Sequence, residues 1–299
     1  MKLLQQAKNY FTKGELCLWG GSVTMILLAY LLFDGNDTLT LAASLIGATS
    51  LIFNAKGNPF GQLLMVVFSA MYGVISYRTA YYGEMITYLG MTAPMAVAAL
   101  VSWLRHPYQG SHAQVAVGRL RRGEPVLLAV LTAIVTAIFY FILRALGTAS
   151  LGFSTLSVTT SFAAVYLTWR RSPYFALAYA ANDVVLLVLW TMAAAQDPGC
   201  ISVIVCFAAF LVNDLYGLFN WLRMQQKRRR CNSCRTGTPL PAKMFLNTKT
   251  ALPGIFPAGG SFWLLFSTRA SKDRRLSTGN PPDRTAGYPP ADFCCECGH

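Results

Sequence analysis

Residues 201–230 read ISVIVCFAAFLVNDLYGLFNWLRMQQKRRR. No Lys or Arg occurs before Arg223, and the only acidic side chain ahead of it is Asp214. At 1.5 Å rise per residue a helix over 201–222 is about 33 Å long, enough to cross the hydrocarbon core of a bilayer. The stretch lacks the continuous polar face that a helix on a soluble core turns toward water. It stops at Arg223 and a basic run, 227–230, as a span does where it leaves the membrane.

Seven more runs free of Lys and Arg precede it: 16–33, 39–53, 60–77, 85–104, 126–143, 150–169 and 174–195, the last containing Asp183. The chain of 299 residues is 54% hydrophobic and 12% charged, with a net charge of +13; an average soluble domain carries about 25% charged residues. The fold class is therefore an all-α membrane protein with eight transmembrane helices. Lys2, Lys8 and Lys13 precede the first run without a small-residue cleavage site after it, so that run reads as a retained helix rather than a signal peptide.

Basic residues in the gaps set the orientation. One side receives the three N-terminal lysines, Lys56, Arg105, Arg119, Arg121, Arg122, Arg170, Arg171, Arg223 and 227–230, whereas the other receives only Arg78 and Arg144. The asymmetry places both termini in the cytoplasm.

The chain also repeats. Pro59 opens one span after Asn-Ala-Lys-Gly-Asn, and Pro173 opens another after Thr-Trp-Arg-Arg-Ser, 114 positions later. Ser102-Trp103-Leu104-Arg105 closes one span, and Asn220-Trp221-Leu222-Arg223 closes another, 118 positions later. Two triplets result, repeats 39–105 and 150–223, joined by a linker helix over 126–143. One linking span makes both triplets point the same way, a parallel 3+1+3 repeat, with the first span as an extra N-terminal helix.

Polar residues at membrane depth are costly and face a cavity or a partner. Counting along the spans puts Asn182 and Asp183 near the midplane, with Asn213 and Asp214 at the same depth. Tyr179, Asn182, Asp183 and Trp190 share one helix face; so do Asn213, Tyr216 and Asn220; Gln62 and Tyr72 share a third. These ten residues are the candidate solute-binding set. The competing reading is hydrogen bonding between helices that holds the bundle together. Trp103, Trp169 and Trp221 fall near the basic ends of spans and read as an interfacial aromatic belt.

Absences narrow the function. There is no phosphate-binding G-x-x-x-x-G-K-[ST] loop, and the three histidines lie outside the spans. No catalytic set, metal site or cofactor is indicated, so the reading is not an enzyme. With no Lys or Arg inside the runs, a phosphorylated solute would meet no counter-charge, while aromatic faces and carboxyls suit a flat cation. The basic run 227–230 reads as facing anionic lipid, not nucleic acid. Residues 227–299, basic and then rich in Pro and Cys, read as a disordered cytoplasmic tail. Its Cys231/Cys234 and Cys294/Cys295/Cys297 groups are too far apart to make a strong zinc pattern.

Asn54-Ala55-Lys56-Gly57, Asn182-Asp183 and Asn213-Asp214-Leu215-Tyr216-Gly217 with Asn220-Trp221 resemble the PnuC family of vitamin B3 transporters, over about residues 16–226. The resemblance implies a SWEET-like fold. It implies facilitated diffusion of nicotinamide riboside by alternating access, with trapping by a cytoplasmic riboside kinase for NAD synthesis. It also implies a homotrimer. Wider relatives carry thiamine, riboflavin or deoxynucleosides. A vitamin-binding subunit of an ATP-driven importer is the rival class. The family ends soon after the basic run, so the tail departs from its pattern.

Overall fold

The structure is a computed structural model and describes residues 10–34, 37–78, 82–108, 111–148, 150–195 and 198–236. The sequence readings beyond residue 236, including the C-terminal cysteine group, lie outside the described residues. Chain contacts divide the molecule into Met1–Gln226 and Lys227–His299. The helical bundle and its polar interior belong to the first unit.

Eight helices among the described residues are long and apolar enough to cross a membrane. They are α1 (Lys13–Phe33), α2 (Thr38–Ala55), α3 (Pro59–Arg78), α4 (Tyr82–Leu104), α5 (Glu124–Ala145), α6 (Leu151–Trp169), α7 (Phe175–Ala194) and α8 (Ile201–Thr236, with Ile201–Arg229 as its apolar part). The protein is a multi-pass membrane protein.

Local chemistry explains most boundaries. Thr12 and Glu15 form a reciprocal capping box at the start of α1. The Asp37 carboxylate accepts from Leu39 and Thr40 N–H groups at the start of α2. Pro59 fits the first turn of α3, and Asn58 Oδ1 accepts from the Phe60 N–H at 2.9 Å. The α2 helix ends at Lys56, with Gly57 at φ +70° and bonds from Gly57 N–H to Asn54 O and from Asn58 N–H to Phe53 O. The α6 helix ends at Arg170 in the same way: Arg171 has φ +57°, and the bonds run from Arg171 N–H to Thr168 O and from Ser172 N–H to Leu167 O. Both termini obey the offset of 114.

Consecutive helices alternate in direction, so the loops carrying Lys56, Arg105, Arg119–122 and Arg170–171 gather at one end, the basic end. The α2 and α3 helices pack side by side, as do α6 and α7; α4 lies against α3 and α6, α1 against α2, and α5 against α6. The α8 helix closes on α2, where Phe210 occupies the space a side chain at Gly47 would need. Much of α5 faces outward, with Val126, Ile134, Ile138 and Phe141 all more than half exposed, as a lipid-facing helix requires. A cavity of about 860 Å³ opens between α5 and α6, lined by residues such as Leu128, Thr132, Thr136 and Thr159. It lies away from the buried polar layer.

Two features lie beyond the sequence reading. Residues Tyr30–Asp34 and Thr87–Thr92 are π-helical, the second inside α4. The loop after α4 forms a short antiparallel hairpin, β1 (Pro107–Tyr108) with β2 (Ser111–Val115), which tucks fully buried Val115 under the bundle. That loop is held from two sides, by Val115 N–H to Gly57 O at 2.8 Å and Gly118 N–H to Arg171 O at 2.9 Å.

Candidate functional site

The basic end is sealed by aromatic side chains. Trp103 and Trp221 are fully buried, with rings 5.5 Å apart, and both pack on Phe175. The Trp103 indole N–H donates to Thr168 O at 2.9 Å, and the Trp221 indole N–H donates to Asn54 O at 2.8 Å. Their neighbours repeat the pattern: Ser102 Oγ donates to Trp169 O, and Asn220 Nδ2 donates to Ala55 O. Each triplet's last helix thus bonds to the other triplet's first. This corrects the belt assignment for Trp103 and Trp221. Each indole satisfies a carbonyl at a helix end, which a side chain lying in the headgroup layer could not do. Trp169, 38% exposed, remains at the surface.

Midway along their helices lie Asp183 on α7 and Asp214 on α8. Their carboxyls sit side by side within hydrogen-bonding range. They are 4% and 5% exposed, and Asp183 Oδ2 has no hydrogen-bond partner among the described residues. The Tyr179 hydroxyl lies beside the Thr168 side chain and within electrostatic range of both carboxyls.

Farther from the basic end comes an aromatic layer. Tyr72 and Tyr88 rings are 4.4 Å apart, and Tyr72 also contacts Trp190 edge to face at 6.4 Å and Phe207 at 6.0 Å. The Trp190 indole N–H faces the Tyr72 hydroxyl. Tyr88 is not among the sequence candidates. The span 85–104 holds no carboxyl or amide to mark that face, and the role of Tyr88 emerges only from the ring it meets on α3.

The remaining candidates are placed elsewhere. Asn182 Oδ1 accepts from Thr160 and Ser161 hydroxyls at 2.9 Å, so its carbonyl ties α7 to α6. Asn213 Nδ2 donates to Ser22 Oγ and to Ala209 O, both at 2.8 Å, tying α8 to α1; its Oδ1 is buried without a partner among the described residues. Gln62 Nε2 donates to Asn54 Oδ1 at 2.8 Å, one residue from the backbone that Asn220 bonds. The Tyr216 hydroxyl donates to Glu15 Oε1 at 2.9 Å. The structure thus gathers Tyr72, Tyr179, Asp183, Trp190 and Asp214 along the interior, and engages Asn182, Asn213, Gln62, Tyr216 and Asn220 in bonds between elements.

Glu15 is not a sequence candidate either, yet it organises the basic end of α1. It is 3% exposed and pairs with Lys56 at 3.0 Å, accepts from Tyr216 and caps Thr12. Lys56 lies over the Tyr10 and Phe11 rings. Arg170 pairs with Glu124 at the foot of α5. Burial, then the adjacent Arg170 charge, lowers the Arg171 guanidinium from its usual range.

Eight spans around a buried layer of carboxyls and aromatic rings, with Lys and Arg confined to the span ends, define a multi-pass protein of the transporter class. Residues 37–223 match the family model described as nicotinamide mononucleotide transporter. The chain belongs to that family. It is 23% identical over 200 residues to the nicotinamide riboside transporter PnuC of Neisseria mucosa, covering 65% of this chain and 76% of that protein. It is 23% identical over 194 residues to the protein of the same name from Haemophilus influenzae, covering 64% and 82%. Its fold resembles the crystal structure of the vitamin B3 transporter PnuC, with a TM-score of 0.64 at 20% identity, over 73% of this chain and 94% of that one.

Proposed function

We propose that this protein carries nicotinamide riboside across the cell membrane by facilitated diffusion, with both termini in the cytoplasm. One observation carries the choice of substrate within a family described by the mononucleotide. The interior pairs Asp183 and Asp214 beneath Tyr72, Tyr88 and Trp190, and among the described residues no Lys or Arg side chain enters that layer. A pyridinium ring finds counter-charge and aromatic faces there. A phosphate, with close to two negative charges, would meet only carboxyls.

The path is alternating access. In this reading the Trp103–Trp221 layer, at the basic end, is the cytoplasmic gate. The contacts spaced by 114 and 118 support two three-helix repeats around the linker α5. Rocking one triplet against the other separates Trp103 from Thr168 and Trp221 from Asn54 together. Diffusion down a gradient needs a sink, which a cytoplasmic riboside kinase supplies. A homotrimer is part of the same reading, and the mass of the purified protein in nanodiscs checks it.

The deciding experiment is uptake of labelled nicotinamide riboside into proteoliposomes containing only this protein. The expected result is saturable entry to equilibrium without an ion gradient, competed by unlabelled riboside and not by the mononucleotide. Entry of thiamine or riboflavin instead would keep the fold and replace the substrate. Binding without entry would make the protein the capture subunit of an ATP-driven importer.

A further inference from the structure

Two glutamates are buried alike in this protein and satisfied very differently. Glu15 is 3% exposed, and both of its oxygens are engaged, by Lys56, Tyr216 and the Thr12 backbone. Glu84, at the end of the bundle opposite Lys56, is 4% exposed, and its Oε2 has no hydrogen-bond partner among the described residues. It also makes no salt bridge among them: the two that form are Lys56–Glu15 and Arg170–Glu124. A buried carboxyl oxygen left unbonded is costly, and a glutamate that served packing alone would have its oxygens paired.

The surroundings of Glu84 give that cost a use. Glu84 is the third residue of α4, and Tyr88 follows it about one turn later. Between them the helix passes into the π-helical segment Thr87–Thr92, and the Thr87 hydroxyl turns back to Gly83 O at 2.9 Å. The Tyr88 ring meets Tyr72 at 4.4 Å, and Tyr72 meets Trp190. Glu84 lies within electrostatic range of both tyrosines, and Tyr88 within range of Asp183 as well. A column therefore runs inward from the Glu84 carboxyl through three aromatic faces to the Asp183–Asp214 pair.

We infer that Glu84 is a specificity-determining carboxyl of this route, which takes up the positive charge of a flat aromatic cation and passes the ring to Tyr88, Tyr72 and Trp190. The inference rests on the reading of that interior as a solute path. It adds the residue that distinguishes a charged ring from a neutral one of the same shape.

The test uses two probes that differ in charge and share a ring, N1-methylnicotinamide as the cation and nicotinamide as the neutral form. Both are titrated against the full chain in nanodiscs, wild type, Glu84→Gln and Glu84→Asp, with tryptophan fluorescence as the readout. Wild type should prefer the cation. Glu84→Gln should weaken cation binding about tenfold and leave the neutral probe unchanged. Glu84→Asp should keep the preference, which guards against a Gln variant that does not fold. Equal weakening of both probes would mark Glu84 as structural and overturn the inference; so would an unchanged ratio in Glu84→Gln, or no cation preference in wild type. Riboside uptake is measured in parallel. A wild type that prefers the cation but transports no riboside would sink the transport reading while the charge ratio still decides the role of Glu84.

Discussion

At the residue scale, two positions hold the left-handed backbone that ends α2 and α6, Gly57 at φ +70° and Arg171 at φ +57°. Glycine adopts that region freely, whereas a side chain there costs about 1–2 kcal/mol. A Cβ on Gly57 would also sit 3.4 Å from Val115 and 3.5 Å from Trp221. Gly57→Ala should therefore lower stability by about 1–2 kcal/mol, seen as a lower melting temperature. Arg171→Gly removes the same strain and should leave the melt unchanged or raise it. The buried aspartate pair makes a different prediction. Asp183→Asn keeps a hydrogen bond to Asp214 and puts a neutral amide in place of the carboxyl that shares the pair's proton and charge, so the fold should persist while uptake of a cationic solute drops about tenfold. Undiminished uptake would remove Asp183 from the path. Of the candidate residues, the two aspartates were legible because a carboxyl inside a charge-free run stands out against its neighbours. Asn182 and Asn213 stood out equally, and nothing local told a ligand contact from a bond to Thr160 or Ser22 on another helix.

At the scale of elements, α1 looks in the sequence like an addition outside the repeats, yet it is fastened to both of them. Glu15 on α1 binds Lys56 after α2 and Tyr216 on α8, and Ser22 on α1 receives Asn213 from α8. Removing Glu15 leaves Lys56 without its anion and Tyr216 without its acceptor. Glu15→Ala should cost about 2 kcal/mol. The double variant Glu15→Ala/Lys56→Ala should cost less than the sum of the single changes, as thermal melts over the four proteins would reveal. The helices themselves were legible because the penalty for charge in lipid acts on every residue of a span and leaves a mark along the whole run. The π-helical turn in α4, the hairpin under the bundle and the partners of the tryptophans were not. They depend on what a residue meets after folding: Trp103 finds its acceptor 65 positions away, Trp221 its own 167 away. The matched Trp-Leu-Arg endings were the available signal, since a belt has no need to repeat at the spacing of the triplets.

At the scale of the whole molecule, the paired indole bonds bear on rate as well as stability. Trp103→Phe and Trp221→Phe each keep one aromatic ring, lose a hydrogen bond worth about 1 kcal/mol and leave a small cavity where the second ring of the indole was. Either change should loosen the basic end. In a cysteine-free background carrying Val115→Cys, thiol reagents added from that side should label the variants several-fold faster than the parent. Equal labelling would show that the layer is held by ring packing alone. The exchange of these bonds also bears on how the molecule is put together. The triplet that holds Trp103 leaves its own first-helix carbonyl to Trp221, and the reverse is equally true, so neither half is finished by its own residues. Translated as separate fragments cut in the loop at residues 119–123, each half would carry an open helix end and a stranded indole, and neither would persist in the membrane by itself. Made together, the two fragments would supply each other's missing partner and assemble into a working pair without a peptide bond between them.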